Sequence, residues 1–458
     1  MKHPILLIAI ATFLYGSSLY GSRAGALVGG SSPLAPGRKY TTVERLQPDR
    51  LRAVHADRLR YASLRHGVRL KTGYTDYRGI LHAHAEDSSH TGGTRPELLA
   101  AAKNAGISII MLTDHVRPGR DFINDNWRGL RDGVLFIPGA ESEGFLAYPT
   151  ASLSGKKWKT KEDYIRLVTE NGGNIFLSHP EERLDWPPDN LDGMEIYNHH
   201  TDVKDEDEFN RWLRGALTDP ERLRLIQRDL AEYPEEVFGA QQDYLVSILA
   251  KWDRDTRTRR LTGVAANDCH HNQVFTVNAY DQDTVEVGYI TSAPTKTRVT
   301  ANQIESVRRL AADRKPGELI AKLDFDPYER SLRYVATHIL AGNLSESSVR
   351  EALKQGHAYV AHDWLCDASG FYFVAQEGSR LVAVMGDETK HTENLRLIVA
   401  LPVECDLKLI RDGVTVMTAT ADRFEYHPAA PGVYRLEAWL TVDGESRPWV
   451  YSNPIYLR

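Results

Sequence analysis

The chain has 458 residues and carries 56 basic against 62 acidic side chains, a formal net charge of −6. A slightly acidic chain of this length is poorly suited to binding DNA or RNA, so no stable nucleic-acid complex is expected. Three cysteines, none of them in C-x₂-C spacing, exclude a disulfide framework and a zinc finger. Any metal site must therefore use histidine, aspartate and glutamate.

The N-terminus has the order of features found in a secretory signal. Lys2 precedes an apolar run at 5–14, and Ala24 and Ala26 fit an A-x-A cleavage site. Residues 1–26 are therefore predicted to be a signal peptide, with an uncleaved anchor as the alternative. We expect an exported protein, periplasmic or extracellular, with no membrane span once the signal is removed.

The segment 27–75 is Arg-rich and polar, and it is predicted to be a helical lead-in without chemistry. Residues 43–64 have helical spacing. The predicted core contacts of this helix are Leu46, Leu51, Val54, Leu59 and Leu64.

Residues 76–364 alternate between short apolar strands and helices. Strands are predicted at 79–81, 108–112, 134–137, 174–177, 194–197 and 261–266. Helices are predicted at 96–105, 161–170, within 205–252 and at 345–355. This alternation is typical of a parallel α/β sheet, and periodicity leaves both an open sheet and a closed barrel possible.

Each of these strands is followed by residues that can bind metal. In chain order they are His82 and His84, Asp114 and His115, Glu141, His179, His199 and His200, and Asp268 and His270. The carboxyl ends of parallel strands meet at one rim, so we expect these side chains to lie together. Alternate residues on a strand face the same side, which predicts that His82 and His84 reach one ion, and likewise Asp268 and His270.

A set of imidazoles and carboxylates without thiolates suits Zn, Mn or Fe at a hydrolytic site. Two ions about 3.5–4 Å apart can share a hydroxide and clamp a phosphate. The sequence has no G-x-S-x-G elbow to supply a serine nucleophile, and no Walker or G-x-G-x-x-G loop after a strand.

These motifs together resemble the PHP (polymerase and histidinol phosphatase) superfamily of metal-dependent phosphoesterases. The resemblance is carried by L-H-A-H at 81–84, T-R-P-E-L-L at 94–99, T-D-H at 113–115, P-G-A-E at 138–141, S-H-P at 178–180 and N-D-C-H at 267–270. It covers about 78–275. It implies a distorted seven-stranded β/α barrel holding two or three divalent metal ions.

The resemblance also implies roles for individual residues. The implied metal ligands are His82, His84, His115, Glu141, His179, Asp268 and His270, and His90 takes the place of an aspartate found in many members. Asp114 is implied to orient a ligand histidine, and Asp268 to hold or deprotonate the attacking water. Because 142–178 contain no histidine, a third metal depends on His199 or His200.

A phosphate substrate needs cations besides the metals. Arg117 and Arg120 follow the T-D-H motif and Arg183 follows S-H-P, so all three are predicted to contact substrate, with solvated loop cations as the alternative. His199 is a further candidate substrate contact. Cys269, between two ligands, is predicted to be core.

Residues 365–458 lack helical patterns and contain six or more short apolar strands, which predicts a small β-sandwich. Docking, substrate shielding and dimerisation all remain open as its role, as does the oligomeric state.

The predicted function is that of an exported phosphoesterase, which hydrolyses a small-molecule phosphate mono- or diester with a metal-bridged hydroxide. One alternative is a metal-dependent hydrolase of a carbon centre, either an amide or a lactone. Another is a non-catalytic binding module.

Overall fold

A computed structural model describes residues 38–68, 72–204, 206–290 and 294–458. The predicted signal peptide at 1–26 lies outside these residues. The α-helices, numbered α1 to α12, are Thr42–Arg45, Pro48–Leu64, Arg95–Ala105, Lys161–Thr169, His199–Lys204, Asp207–Ala216, Pro220–Glu232, Pro234–Gly239, Val246–Thr256, Ser306–Ala311, Tyr328–Tyr334 and Glu346–Gln355. Among the described residues, no helix is both long and apolar enough to cross a membrane.

The strands before residue 365, numbered β1 to β16, are Thr75–Ala83, Ile109–Leu112, Asp114–His115, Gly129–Arg131, Val134–Ile137, Ala140–Ser142, Phe145–Tyr148, Asn174–Leu177, Gly193–Asn198, Thr262–Ala266, Val274–Asp281, Thr284–Tyr289, Thr295–Thr300, Leu319–Asp324, Ala336–Ala341 and Ala358–Ala361. The later strands, β17 to β24, are Tyr372–Glu377, Arg380–Val384, Glu388–Thr389, Leu395–Arg411, Val414–Tyr426, Gly432–Val442, Glu445–Ser452 and Ile455–Leu457.

Local sequence explains the first β–α–β unit, which positions the site. Helix α3 begins after Thr94, whose side chain and that of Glu97 form a reciprocal capping box, and it ends at Gly106 in the left-handed conformation. Strand β2 follows and is buried over all four of its residues. It pairs in parallel with β1 and β5, so the carboxyl ends of these strands lie at one edge.

The mixed α/β class is confirmed, but the expected closed seven-stranded barrel is not found. The described strands form a 14-stranded, a 6-stranded and a 4-stranded sheet. Strands β2 and β5 belong to the 14-stranded sheet, but the strands that follow them, β3 and β6, pair with each other in the 6-stranded sheet. Strands β7 and β15 also run antiparallel to their neighbours. Among the described residues, an isolated parallel bridge joins Ala83 of β1 to Cys269, three residues beyond β10.

The β-sandwich expected at 365–458 stays a prediction, and its strands are joined to the preceding sheet. The region is rich in strands, but β23 pairs with β16, which pairs with β15 and thereby with β1. The 17-residue strand β20 pairs with β17 through its first half and with β22 through its second. The C-terminal strands therefore continue the sheet that carries His82 and that ends just before His84.

A second antiparallel element was not predicted from the sequence. Strands β11 to β14 form a four-stranded sheet directly after the D-x-H motif. One face of this sheet contributes Val277, Val285 and Val299 to a core shared with α6, α7 and α10. The four-stranded sheet is therefore stabilised by a hydrophobic core that it forms with these helices.

The lead-in helices pack against the C-terminal strands. Leu46, Leu51 and Val54 are buried as predicted, whereas Leu59 and Leu64 are 59% and 57% exposed, because the end of α2 turns them to solvent. Arg45 is buried and forms an ion pair of 2.9 Å with Glu445 on β23.

Candidate metal centre

Histidines from separate strand ends converge at the end of β1. His82 and His84 are fully buried; His82 lies on β1, His84 directly follows its last residue, and both belong to one group of potential ligands. The ring of His270 stacks on His84 with a centroid separation of 4.0 Å, and His115 stacks on it at 4.3 Å. The motifs that are far apart in the sequence therefore meet at one point.

These side chains form three overlapping groups in which the potential ligand atoms lie within 4.8 Å of one another. The groups are His84, His115 and His270; His82, His84 and Glu141; and His82, His179 and Asp268. Seven of the eight predicted ligands belong to them, all except His90.

Two carboxylates lie between the histidines. Glu141 places Oε1 3.0 Å from His179 Nε2 and Oε2 3.6 Å from His82 Nε2. Asp268 places Oδ1 3.3 Å from His82 Nε2 and 3.4 Å from His84 Nε2, and its Oδ2 lies 3.7 Å from His179 Nε2. Each carboxylate thus turns its two oxygens toward different histidines, which is the arrangement needed to bridge two cations.

The donor atoms at the centre fit divalent metal ions. The Nε2 atoms of His82, His84 and His270 and Oδ1 of Asp268 are buried without a hydrogen bond to any described residue. Leaving such atoms unpaired costs about 1–3 kcal/mol each. Imidazole nitrogens and carboxylate oxygens without thiolate are the donors that Zn, Mn and Fe accept, so bound metal would satisfy all four atoms.

The electrostatics of the metal-free centre also favour cations. Burial opposes charging of His82, but the nearby carboxylates Asp268, Glu195 and Glu141 outweigh it and raise its pKa to about 10. The pKa of His84 is likewise raised to about 9 by Asp87 against burial. Without metal the carboxylates therefore keep protons on both imidazoles, and metal ions would replace those protons.

Asp87 anchors two of the ligand histidines and was not identified from the sequence. Its Oδ2 lies 2.9 Å from His84 Nδ1 and 2.6 Å from His115 Nδ1, and it accepts the backbone N–H of His115 at 2.9 Å. These contacts turn both Nε2 atoms to the centre. A carboxylate on the far ring nitrogen is the usual support of a metal-bound histidine.

Glu195 supports the other side of the centre in the same way. Its Oε1 lies 2.7 Å from His82 Nδ1, and its Oε2 accepts the backbone N–H of His179 at 2.9 Å and the Asn198 amide at 2.8 Å. Glu195 lies fully buried in strand β9, between the apolar residues Met194 and Ile196. A glutamate in such a strand was the sequence signal that could have revealed it.

The Asp268–His270 pair does not lie on a strand, which corrects one prediction. Strand β10 ends at Ala266, and Asp268 has a φ of 49°. His179 is also left-handed, with a φ of 44°. These two backbone turns, rather than strand alternation, direct both side chains into the centre. Cys269 is buried, as predicted.

Of the remaining histidines, His90 and His200 lie near the centre and His199 does not. His90 lies at the edge of the centre, with its ring centroid 4.6 Å from that of His115 and 4.8 Å from that of His270. His199 does not face the rim, because it is buried against Phe238. It is His200 that faces the centre, with Nδ1 3.5 Å from Asp268 Oδ2.

Asp114 does not orient a histidine, contrary to the prediction. It points away from its neighbour His115 and forms an ion pair with Arg95 at 3.3 Å and another with Arg120. Burial, reinforced by the nearby Asp87, raises the pKa of Asp114 to about 7. Alternation along β3 is the reason, since His115 takes the face that points to the centre.

The three predicted substrate arginines contact the protein itself. Arg120 donates to the carbonyl of Glu86 at 2.9 Å, and Arg117 donates to the same carbonyl at 3.3 Å. Arg183 donates from one nitrogen to the carbonyls of Ser178 and His179, both at 3.1 Å. Arg183 therefore holds the loop that carries His179.

No protein-family model matches the chain, and no curated protein matches it. Among solved structures, it is similar to a two-domain protein from Bacteroides vulgatus ATCC 8482 that contains a predicted PHP-like metal-dependent phosphoesterase. The sequence identity is 15% and the TM-score is 0.32, and the match covers 85% of this chain and 98% of that chain. Similarity at this level carries no functional argument, so the function is argued from the geometry of the centre.

Proposed function

We propose that this protein is a metal-dependent phosphoesterase that hydrolyses a small-molecule phosphate mono- or diester. The observation that carries the proposal is the set of three overlapping ligand groups with Glu141 and Asp268 between them. Such a set holds two or three divalent ions, and closely spaced ions suit hydrolysis at phosphorus. The motifs that resemble the PHP superfamily support the same reaction.

Roles for individual side chains follow from their positions. His82, His84, His115, Glu141, His179, Asp268 and His270 would hold the metal ions. Bound ions would acidify a water and neutralise charge on the phosphate. Asp268, whose Oδ1 is buried without a hydrogen bond, would orient the attacking water and accept its proton. Asp87 and Glu195 fix the histidine rings so that the site is formed before substrate arrives.

We also propose that the protein is exported, on the strength of the signal-like residues 1–26. Fractionation of cells that express the full chain, with N-terminal sequencing of the product, tests this proposal. Recovery of the uncleaved chain in the cytoplasm would contradict it.

Metal analysis of the purified protein, combined with assays on phosphate mono- and diesters, tests the enzymatic proposal. We expect at least two equivalents of Zn, Mn or Fe, and a loss of activity of at least 100-fold in Asp268→Asn. The matched control is Asp132→Asn, because Asp132 is an exposed aspartate on a turn. Metal-free protein with unchanged activity in Asp268→Asn would contradict an enzymatic centre, and activity on amides or lactones alone would contradict phosphoester hydrolysis.

A further inference from the structure

A pocket lined by arginine lies beside the metal centre. It encloses about 600 Å³, opens to solvent, and its charged lining residues are Glu86, Arg95, Arg117, Arg120 and Asp125. Pockets that bind small ligands usually enclose about 300–1,000 Å³. None of the metal-site histidines lines it, so it is a separate compartment.

Two arginines of the pocket, Arg95 and Arg120, are fixed by ion pairs with carboxylates of the protein. Arg95 forms ion pairs with Glu86 at 2.8 Å and with buried Asp114 at 3.3 Å, and Arg120 also binds Asp114. A single buried carboxylate therefore fixes two guanidinium groups, which keeps their remaining N–H donors in position before a ligand arrives.

Donors of the pocket are left over after these contacts. Within the described part of the chain, Arg117 has no carboxylate at ion-pair distance and donates only to the carbonyl of Glu86. The Nε atom of Arg120 is buried and makes no hydrogen bond to a described residue. The unused guanidinium donors of exposed Arg117 match the oxygens of a phosphate or a carboxylate, whereas the buried Nε of Arg120 is not accessible to a ligand.

The pocket and the metal centre share two short segments of chain. Glu86 directly precedes Asp87, which anchors two ligand histidines, and Asp114 directly precedes His115. The His115 side chain is 30% exposed, so the centre is accessible on this side. The Glu86 carbonyl accepts from Arg117 and Arg120, so the anchor of these arginines is bonded directly to the carboxylate residue that supports the metal centre.

We infer that this pocket binds a second anionic group of the substrate, on the alcohol side of the ester whose phosphate lies at the metal centre. The inference rests on the proposed phosphoesterase function and narrows the substrate to phosphate esters that carry a further phosphate or carboxylate. Arg117 and Arg120 then determine specificity, and Asp114 positions Arg120.

Matched substrates test the inference. Phenyl phosphate is compared with 3- and 4-carboxyphenyl phosphate and with the corresponding phenylene bisphosphates, so that the carboxylate and phosphate arms are separate. We expect kcat/KM to be at least tenfold higher for the carboxyphenyl phosphates or for the phenylene bisphosphates than for phenyl phosphate. Arg117→Ala should reduce this preference to within twofold, and Arg117→Lys should keep part of it. Arg211→Ala, an exposed helical arginine outside the pocket, is the matched control.

A preference near unity in the wild type, or one that Arg117→Ala leaves intact, would overturn the inference while hydrolysis of phenyl phosphate upheld the proposed function. If no phosphate ester is hydrolysed, the proposed function fails and calorimetry decides on the pocket. Inorganic phosphate is titrated into the metal-free full chain, and we expect at least tenfold weaker binding in Arg117→Ala than in wild type or Arg211→Ala. Equal binding, or none, would overturn the inference.

Discussion

Replacing Asp87 with asparagine is the sharpest test of how the metal centre is organised. Asp87 is fully buried, and one of its oxygens contacts the Nδ1 atoms of both His84 and His115. Asparagine has the same shape, so the change removes the negative charge and leaves the packing intact. Both imidazoles then lose the charged partner that holds their Nε2 atoms toward the centre.

The expected loss of metal affinity can be set from similar supports in other sites. Removing one carboxylate that supports a metal-bound histidine usually weakens binding about 10–100-fold. Asp87 supports two ligand histidines and also accepts a backbone N–H of His115 at 2.9 Å. We therefore expect a loss near 100-fold, which corresponds to about 2.7 kcal/mol of binding free energy.

Competition between the protein and a chelator of known affinity measures this loss directly. Cobalt serves as the probe, because its visible spectrum reports the coordination geometry as well as the amount bound. Asp132→Asn makes the same chemical change at an exposed turn and should leave affinity and spectrum unchanged. Thermal unfolding of the metal-free variants checks that Asp87→Asn remains folded.

An affinity within threefold of wild type, in a folded Asp87→Asn variant, would refute this account of the centre. The histidines would then be oriented by their strands and packing alone. An unchanged affinity with an altered cobalt spectrum would likewise contradict the magnitude expected here.

Three further outcomes follow from the structure. Arg45→Ala should lower the free energy of unfolding by about 3 kcal/mol, because it leaves buried Glu445 with fewer charged partners; urea denaturation measures this, and a loss below about 1 kcal/mol would contradict it. Burial disfavours charged His338, but Asp76 and Asp363, at 2.8 and 3.0 Å, raise its pKa to about 10. Its stabilising effect should therefore be complete below about pH 6.5 and be lost as the pH rises to about 10. Urea denaturation at a series of pH values should show this decline in the free energy of unfolding for the wild type and not for His338→Gln. The same pH dependence in both proteins would count against the prediction. Chelation of bound metal should lower the Tm in calorimetry, because metal bound only to the folded state stabilises it, and an unchanged Tm would argue against such binding.

The elements that could be predicted from the sequence are those governed by local rules. The capping box at Thr94 and the left-handed Gly106 bound helix α3 within one residue of the predicted range. Short apolar strands followed by His82, His115 and Glu141 indicated one rim of ligands, and the structure brings these residues together. Each of these inferences needs only neighbouring residues and the common direction of parallel strands.

The features that were missed depend on contacts between distant segments. The pairing of β16 with β23 joins Tyr359 to Ser452, and alternating hydrophobicity cannot identify such a partner. The orienting role predicted for Asp114 is taken by Asp87 for a related reason. Both lie near ligand histidines in the sequence, and only the paths of the segments after β1 and β2 decide which carboxylate faces the rings.

Two candidate ligands of the centre depend on backbone conformations that ordinary side chains seldom adopt. His179 and Asp268 both have positive φ angles, and a non-glycine residue in this region costs about 1–2 kcal/mol. The contacts of Glu195 with His179 N–H and of Arg183 with the carbonyls of Ser178 and His179 offset that cost at one of them. Each residue lies two positions beyond the end of its strand, and the strained backbone there aims a donor that a regular strand would direct elsewhere.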